Sequence, residues 1–380
     1  MSKLVDDINN EFKEFFLSAP QLKFRITHTD SDGVLDSVIP HFTHADVSQI
    51  IPSRRHGNGL ISLQWLLLLL QFGKNRASSA ENFIMAIEEP ELHIPPHTQQ
   101  KLIHRLQAVS NQAISTTHSP AVASIADPTD ILVIHNSKGD LSSKRLLEKP
   151  LENSDSNSVR KLFQINRNYT ISALMHEAVL IPEGRIDFEI MRLLTKAVDL
   201  RKGWINNGPN DFGIAIGLVP THDAAVIETY KLFSGLHNKV CCVVDGDKEG
   251  ENYIKSLLPL TTTTTKILSW PKDWFIEDVV GWILTANEAD ALSVLSASLR
   301  PFTNISELVS LLKSKDRKAN GLKEDYLAYE LIADAIYQIK ECNKRSQDLL
   351  NGITAIISNQ PSKLFIQQPS PKEKVYVFTP

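Results

Sequence analysis

The sequence predicts an α/β fold with a mainly parallel sheet flanked by helices, and two short segments carry that expectation. Ala178-Val179-Leu180-Ile181 and Val240-Cys241-Cys242-Val243-Val244 are uninterrupted apolar runs of strand length. Buried strands of parallel sheets read this way, because both of their faces are covered. The first run leads into Pro182-Glu183-Gly184-Arg185-Ile186-Asp187, the second into Asp245-Gly246-Asp247-Lys248-Glu249-Gly250. Behind the first acidic signature, Phe188, Ile190, Met191, Leu194, Ala197 and Val198 recur at helical spacing.

Each acidic signature therefore falls at a strand end, where parallel α/β sheets form their ligand crevice. Side chains two apart on an extended chain point the same way, so Asp245 and Asp247 can turn both carboxylates toward one cation. With Glu183 and Asp187 they supply four hard oxygen donors, a set suited to Mg²⁺ or Mn²⁺ rather than zinc. Asp and Gly also serve as helix caps and turn formers. The ordered pair of signatures, each on its own strand, favours a site.

Glu183-Gly184-x-x-Asp187 followed by Asp245-x-Asp247 resembles the TOPRIM domain, which topoisomerases, bacterial primases and OLD-family (overcoming lysogenisation defect) nucleases share. Residues 214–233 resemble it too, as a strand, a turn and an amphipathic helix leading to the second acidic strand. The resemblance spans about residues 177–258.

Three earlier segments form a second constellation. Ser53-Arg54-Arg55-His56-Gly57-Asn58-Gly59 runs into an apolar helix. The strand-like Phe83–Ile87 ends in Glu88-Glu89-Pro90-Glu91-Leu92-His93, and Thr116-Thr117-His118-Ser119-Pro120 follows a further short strand. In this order they resemble the signature loop, Walker B segment and switch histidine of an ABC-type ATPase, in the form that OLD proteins and their relatives use. The resemblance implies that Glu88 helps hold Mg²⁺, that Glu89 polarises the attacking water and that His118 contacts the γ-phosphate. Gly57, Asn58 and Gly59 would close over a nucleotide held by a second protomer; a glycine loop at a helix N-terminus does suit a phosphate. No G-x-x-x-x-G-K-[ST] occurs in the 380 residues, and that loop makes the main grip on ATP phosphates. The resemblance thus extends to an ABC domain without its Walker A part, which is lost, split onto another polypeptide or outside this sequence. ATP binding is expected only with a partner or a missing N-terminal segment, and ATP hydrolysis by this chain alone is not implied.

Composition agrees. Hydrophobic residues make up 42% and charged residues 22%, as in ordinary globular protein. The longest apolar run, Trp65–Leu70, is too short to cross a bilayer, and no basic, apolar leader opens the chain. Three cysteines, two of them adjacent in a strand, suggest reduced core thiols and a cytoplasmic location. The net charge of −4 does not exclude a nucleic-acid ligand, because a local basic patch with bound divalent ions can hold a phosphate backbone. Lys313, Lys315, Arg317, Lys318 and Lys323 form such a patch; read without a partner, most of them are a solvated loop. By resemblance, Lys323, at the start of a helix, is the lysine that faces the metals, with Lys318 as the alternative. Glu277, or its neighbour Asp278, is the implied additional metal ligand, on a helix that Asp273 could cap.

The expected organisation is a partial ABC-type ATPase domain over 1–150, a linker over 151–176 and a TOPRIM domain over 177–290. A helical C-terminal segment follows over 291–358, then a tail over 359–380 in which Pro361, Pro369 and Pro371 leave little ordered structure. The function implied is a divalent-metal-dependent DNA endonuclease of the OLD type, nicking or cleaving at a two-metal Mg²⁺ or Mn²⁺ site, in anti-phage defence or DNA processing. Glu183 would be the general base, and Asp187, Asp245, Asp247 and Glu277 the further ligands. DNA and a second copy, or another ATPase or defence subunit, are the implied partners; no membrane is. The alternative is a non-catalytic regulatory subunit that binds nucleotide only with a complete ATPase.

Overall fold

The structure, a computed structural model, describes residues 2–15, 20–26, 38–43, 50–79, 82–137, 139–202, 212–221, 225–299, 302–316 and 321–380. Of the sequence expectations, residues 222–224 of the stretch 214–233, and Arg317 and Lys318, lie outside them. The chain divides into two compact units, Met1–Asp127 and Pro128–Pro380.

In the first unit, helix α1 (Ser2–Phe15) buries Ile8 and Phe12 one turn apart, the periodicity of an amphipathic helix. They meet Leu22 and Phe42 from the antiparallel strands β1 (Gln21–Ile26) and β2 (Val38–Thr43). Strand β3 (Ile51–Pro52) pairs with β2. The long helix α2 (Asn58–Ser78) turns Leu63, Leu67 and Leu70 to the same core, and α3 (Pro96–Val109) adds Leu102 and Leu106. Strand β4 (Ile84–Glu88) runs parallel to β5 (Gln112–Thr116), and helix α4 (Pro120–Ala123) follows, capped by the Ser119 hydroxyl. Parallel strands are normally covered on both faces. Here Ile84 is 66% and Ile114 53% exposed, so this pair is covered on one side only among the described residues.

The second unit opens with the hairpin β6 (Leu132–Ser137) and β7 (Asp140–Arg145), then short helices α5 (Asn157–Gln164) and α6 (Arg167–Leu174). The rest alternates strand and helix: β8 (Ala178–Pro182), α7 (Arg185–Lys202), α8 (Phe212–Ala215), β9 (Ile216–Leu218), α9 (Val226–Leu236), β10 (Val240–Val244), α10 (Lys248–Leu257) and β11 (Ile267–Ser269). Helices α11 (Ile276–Leu284), α12 (Glu288–Ser296), α13 (Ile305–Lys313), α14 (Tyr326–Gln338) and α15 (Lys340–Ile357) come next, and strands β12 (Phe365–Gln367) and β13 (Val375–Phe378) close the chain. Six strands form one sheet in the order β12-β13-β11-β10-β8-β9, parallel except for the edge strand β12. Every residue of β8 and β10 is buried, as their unbroken apolar runs predict. The six apolar positions read as helical after Asp187 are all buried on α7, against α11, α14 and α15. The fold is thus mixed α/β. Among the described residues, no helix is long and apolar enough to cross a membrane.

Four expectations are corrected. The first unit closes at Asp127, so the hairpin up to Arg145 belongs with the second unit. Residues 151–176 are not a bare linker: α5 and α6 bury Leu162, Phe163 and Ile171. Lys323 does not open a helix, because Asp325 caps α14 through Ala328 N–H at 3.2 Å. The tail is ordered: β13 joins the sheet beside β11, and Pro361, Pro369 and Pro371 all precede that strand. Phe378 is buried edge-on against Trp282 at 5.1 Å and Trp270 at 5.7 Å, with Phe365 at 5.4 Å. Proline count underrated a short apolar strand with a prepared aromatic pocket.

Phe378→Ala should therefore cost about 3–5 kcal/mol, the range for emptying a buried aromatic site. Urea unfolding followed by tryptophan fluorescence checks this; an unchanged midpoint would contradict the packing.

Candidate functional site

The C-terminal ends of β8 and β10 bring the two acidic signatures together. Glu183 follows β8 directly, and its Oε2 accepts the Asp245 N–H at 2.8 Å, tying one strand end to the other. One turn on, Asp187 sits in the first turn of α7 and is only 7% exposed. The β10 end is fixed from its other side by Gly246. Its N–H donates to the Trp274 carbonyl at 2.8 Å, and its own carbonyl accepts the Asp273 N–H at 2.8 Å. A Cβ on Gly246 would lie 1.6 Å from the Pro271 oxygen, so only glycine permits this approach. Asp273 adopts φ +64° in that lock and does not cap α11, contrary to expectation.

Helix α11 adds a fourth acid. Glu277 lies in its first turn, 2% exposed, with Lys323 Nζ 4.0 Å from its Oε1. Asp278 is committed elsewhere: its carboxylate accepts the Phe275 N–H at 2.7 Å and pairs with Lys313 Nζ at 2.6 Å. Of the two candidate acids, Glu277 therefore faces the cluster. Lys313 is not a solvated loop lysine, since it also lies over the Phe275 ring at 4.9 Å. Asp247 caps α10, its Oδ1 accepting the Gly250 N–H at 2.8 Å, so its capping role is real and one oxygen is engaged.

Crowding and burial make these carboxyls poor acids. Asp187 is pushed up to about 8, by burial first and then by Glu277 and Glu183. Asp245 is pushed up to about 10 by burial, then by Asp187, Glu183, Glu277 and Asp247. Burial also raises Glu277, although Lys323 and Lys313 draw it down. Asp245 Oδ1 is buried without a hydrogen-bond partner, and a buried polar atom left so is costly. Among the described residues, no three acidic, histidine or cysteine side chains already converge on one point at ligating distance. The acids share one field without sharing one focus. Oxygen donors, an orphaned buried oxygen and mutual repulsion all fit a hard divalent cation. Glu183, Asp187, Asp245 and Glu277 could hold it.

The first unit assembles its own constellation at the ends of β4 and β5. Glu89, at φ +44°, places its Oε1 3.6 Å from His118 Nε2. Glu91 Oε1 accepts the Thr117 hydroxyl at 2.6 Å and the His118 N–H at 2.9 Å, which fixes the histidine loop. That clamp was not read from the sequence, although Glu91 stands inside the same acidic segment. Gly57 is the N-cap residue of α2, with Asn58 exposed beside it. A Cβ on Gly59 would lie 2.4 Å from the His93 carbonyl, so the glycine loop is packed on the acidic segment. Glu88 ends β4 and is exposed.

Comparison with known proteins bears on this first unit. A family model described as an AAA ATPase domain matches residues 1–123. A structure from work titled "Structural biochemistry of ATP-driven dimerization and DNA stimulated activation of SMC ATPases" is 11% identical. It covers 38% of this chain and 83% of that one, with a TM-score of 0.29. An SmcHead bound to the C-winged helix domain of ScpA is also 11% identical, covering 39% of this chain and 45% of that one with a TM-score of 0.27. No curated protein matches the sequence. The family match alone, over residues 1–123, makes the first unit ATPase-like.

The raised carboxyls give a testable pH dependence. A carboxyl with a higher pKa in the fold than its ordinary 3.8 favours folding while protonated, and Asp187 loses that contribution as pH climbs toward 8. Without divalent ions the second unit should melt at lower temperature at pH 8 than at pH 6. Asp187→Asn should raise the metal-free Tm at pH 8 by about 2–4 °C, the shift about 1 kcal/mol gives a unit of this size. Differential scanning calorimetry in EDTA checks both; a variant that melts lower would contradict the repulsion.

Proposed function

We propose that this chain is a divalent-metal-dependent DNA endonuclease of the OLD and TOPRIM type, carrying an ATPase-like unit that lacks its own phosphate loop. The observation that carries the reading is the gathering of Glu183, Asp187, Asp245 and Glu277 at two strand ends and two helix starts, with Lys323 beside Glu277. Nothing structural asks for so many buried acids; a catalytic cation does. Mg²⁺ or Mn²⁺ bound there would neutralise charge on the phosphodiester and lower the pKa of water.

The protein's own groups have distinct work. Glu183, Asp187, Asp245 and Glu277 would hold the cation, with Asp247 as a further ligand. Glu183, held by the Asp245 N–H, takes the proton of the attacking water. Lys323 meets the negative charge that develops on phosphorus and the leaving oxygen. In the first unit, Glu88, Glu89 and His118 would serve ATP bound with a second protein or second copy, and Gly57, Asn58 and Gly59 would cover its phosphates. Anti-phage defence is the setting the family resemblance suggests, and the cytoplasm the location that reduced buried thiols suggest.

A regulatory subunit is the second reading, and the open β4–β5 pair favours it, since exposed Ile84 and Ile114 await cover from elsewhere. The separating experiment is plasmid nicking with Mg²⁺ or Mn²⁺ and no ATP. Cleavage should be lost in Asp245→Ala/Asp247→Ala, fall about 10²–10⁴-fold in Glu183→Gln and persist in Glu89→Gln. No cleavage by the intact chain would give the regulatory reading precedence, and metal-independent cleavage would contradict the cation's role.

A further inference from the structure

Arg185 stands out among the charges around the acidic cluster. It is the first residue of α7, exposed, and two positions from both Glu183 and Asp187. A cation at a helix N-terminus is disfavoured by the helix dipole. The nearby acids offer obvious partners, yet among the described residues Arg185 forms no ion pair. Its guanidinium lies instead over the Tyr326 ring, with Cζ 5.5 Å from the centroid. Tyr326 opens α14, three residues after Lys323, and is itself 41% exposed and braced edge-on by Tyr329 at 5.9 Å. Helices α7 and α14 pack together, so the Arg185–Tyr326 stack stands at their N-terminal ends, beside the acids.

Stacking fixes the plane of a guanidinium while leaving its N–H fork free, and that fork matches phosphate bidentately. Lys323 and Lys313 are occupied by Glu277 and Asp278; Arg185 is not. We propose that Arg185, shelved on Tyr326, grips a backbone phosphate of the nucleic-acid strand next to the one being cut. Tyr326 is the positioning residue: it keeps the guanidinium from collapsing onto Glu183 or Asp187. This inference rests on the phosphodiester reading of the same site and adds the group that seats the strand.

The test is fluorescence anisotropy of a labelled single-stranded DNA oligonucleotide with the full chain in Mn²⁺, across a salt series, with cleavage of the same strand followed in parallel. Arg185→Ala should weaken binding about tenfold and lower the salt slope by about 0.7, the share of one phosphate contact on a single strand. Tyr326→Ala should weaken binding less, while Tyr326→Phe keeps the ring and stays near the parent. Arg185→Lys should recover the salt slope but not the full affinity, because an ammonium does not stack or fork. KM should rise more than kcat falls, and the Mn²⁺-induced rise in Tm should be unchanged in every variant. Cleavage by the parent with a salt slope unaltered by Arg185→Ala overturns the inference and leaves the hydrolase reading standing. Arg185-dependent binding without cleavage keeps the Arg185 phosphate grip and removes the hydrolase reading. No binding by the parent overturns both.

Discussion

Repulsion among buried carboxylates is the constraint around which the second unit is arranged. Glu183, Asp187, Asp245 and Glu277 come from two strand ends and two helix starts; Glu183 and Glu277 raise the pKa of Asp187, and those two with Asp187 raise that of Asp245. Left to themselves, such groups would move apart into water. They are held by backbone hydrogen bonds and packing. The Asp245 N–H anchors Glu183, and the Gly246 lock joins the end of β10 to the loop after β11. Behind them the sheet continues through β13 to the aromatic cluster of Trp270, Trp282 and Phe378. The tail is thus part of the frame that bears the strain at the sheet's other strands. Storing repulsion at a site and offsetting it with packing elsewhere is the usual trade between stability and function.

How much of this the sequence disclosed depends on whether the signal was local. Strands β8 and β10 were legible because buried parallel strands need apolar side chains on both faces, and both runs are unbroken. Helix α7 was legible from its period. The site acids could be read because a carboxylate after a buried strand has few structural reasons to be there. What failed to show was set by distant partners. Nothing near Asp278 announces that Lys313, thirty-five positions away, will claim it. Asp273 looked like a cap because it precedes a helix, but Gly246 claims its backbone. The tail's prolines suggested irregular chain, whereas the residues after them, Val375–Phe378, form a strand with a neighbour waiting in β11.

The two units differ in how complete they are as chemistry. In the first, Glu91 clamps the His118 loop, and Gly59 packs on the segment that carries Glu89. These contacts pre-arrange groups suited to a nucleotide, without a loop of their own to hold its phosphates. In the second, acids, a lysine and a stacked arginine gather at neighbouring strand ends and helix starts. The proposed cleavage chemistry belongs to the second unit alone, and a nucleotide in the first would need a partner.

The central claim is that the acidic cluster exists to hold a divalent cation. Titrating Mn²⁺ into the protein while following the free ion by electron paramagnetic resonance tests it directly. The account predicts saturable loss of the free Mn²⁺ signal, abolished by combining Glu183→Gln with Asp245→Asn and unaffected by Glu88→Gln with Glu89→Gln. Uptake that survives the first pair, or that disappears with the second, would contradict it.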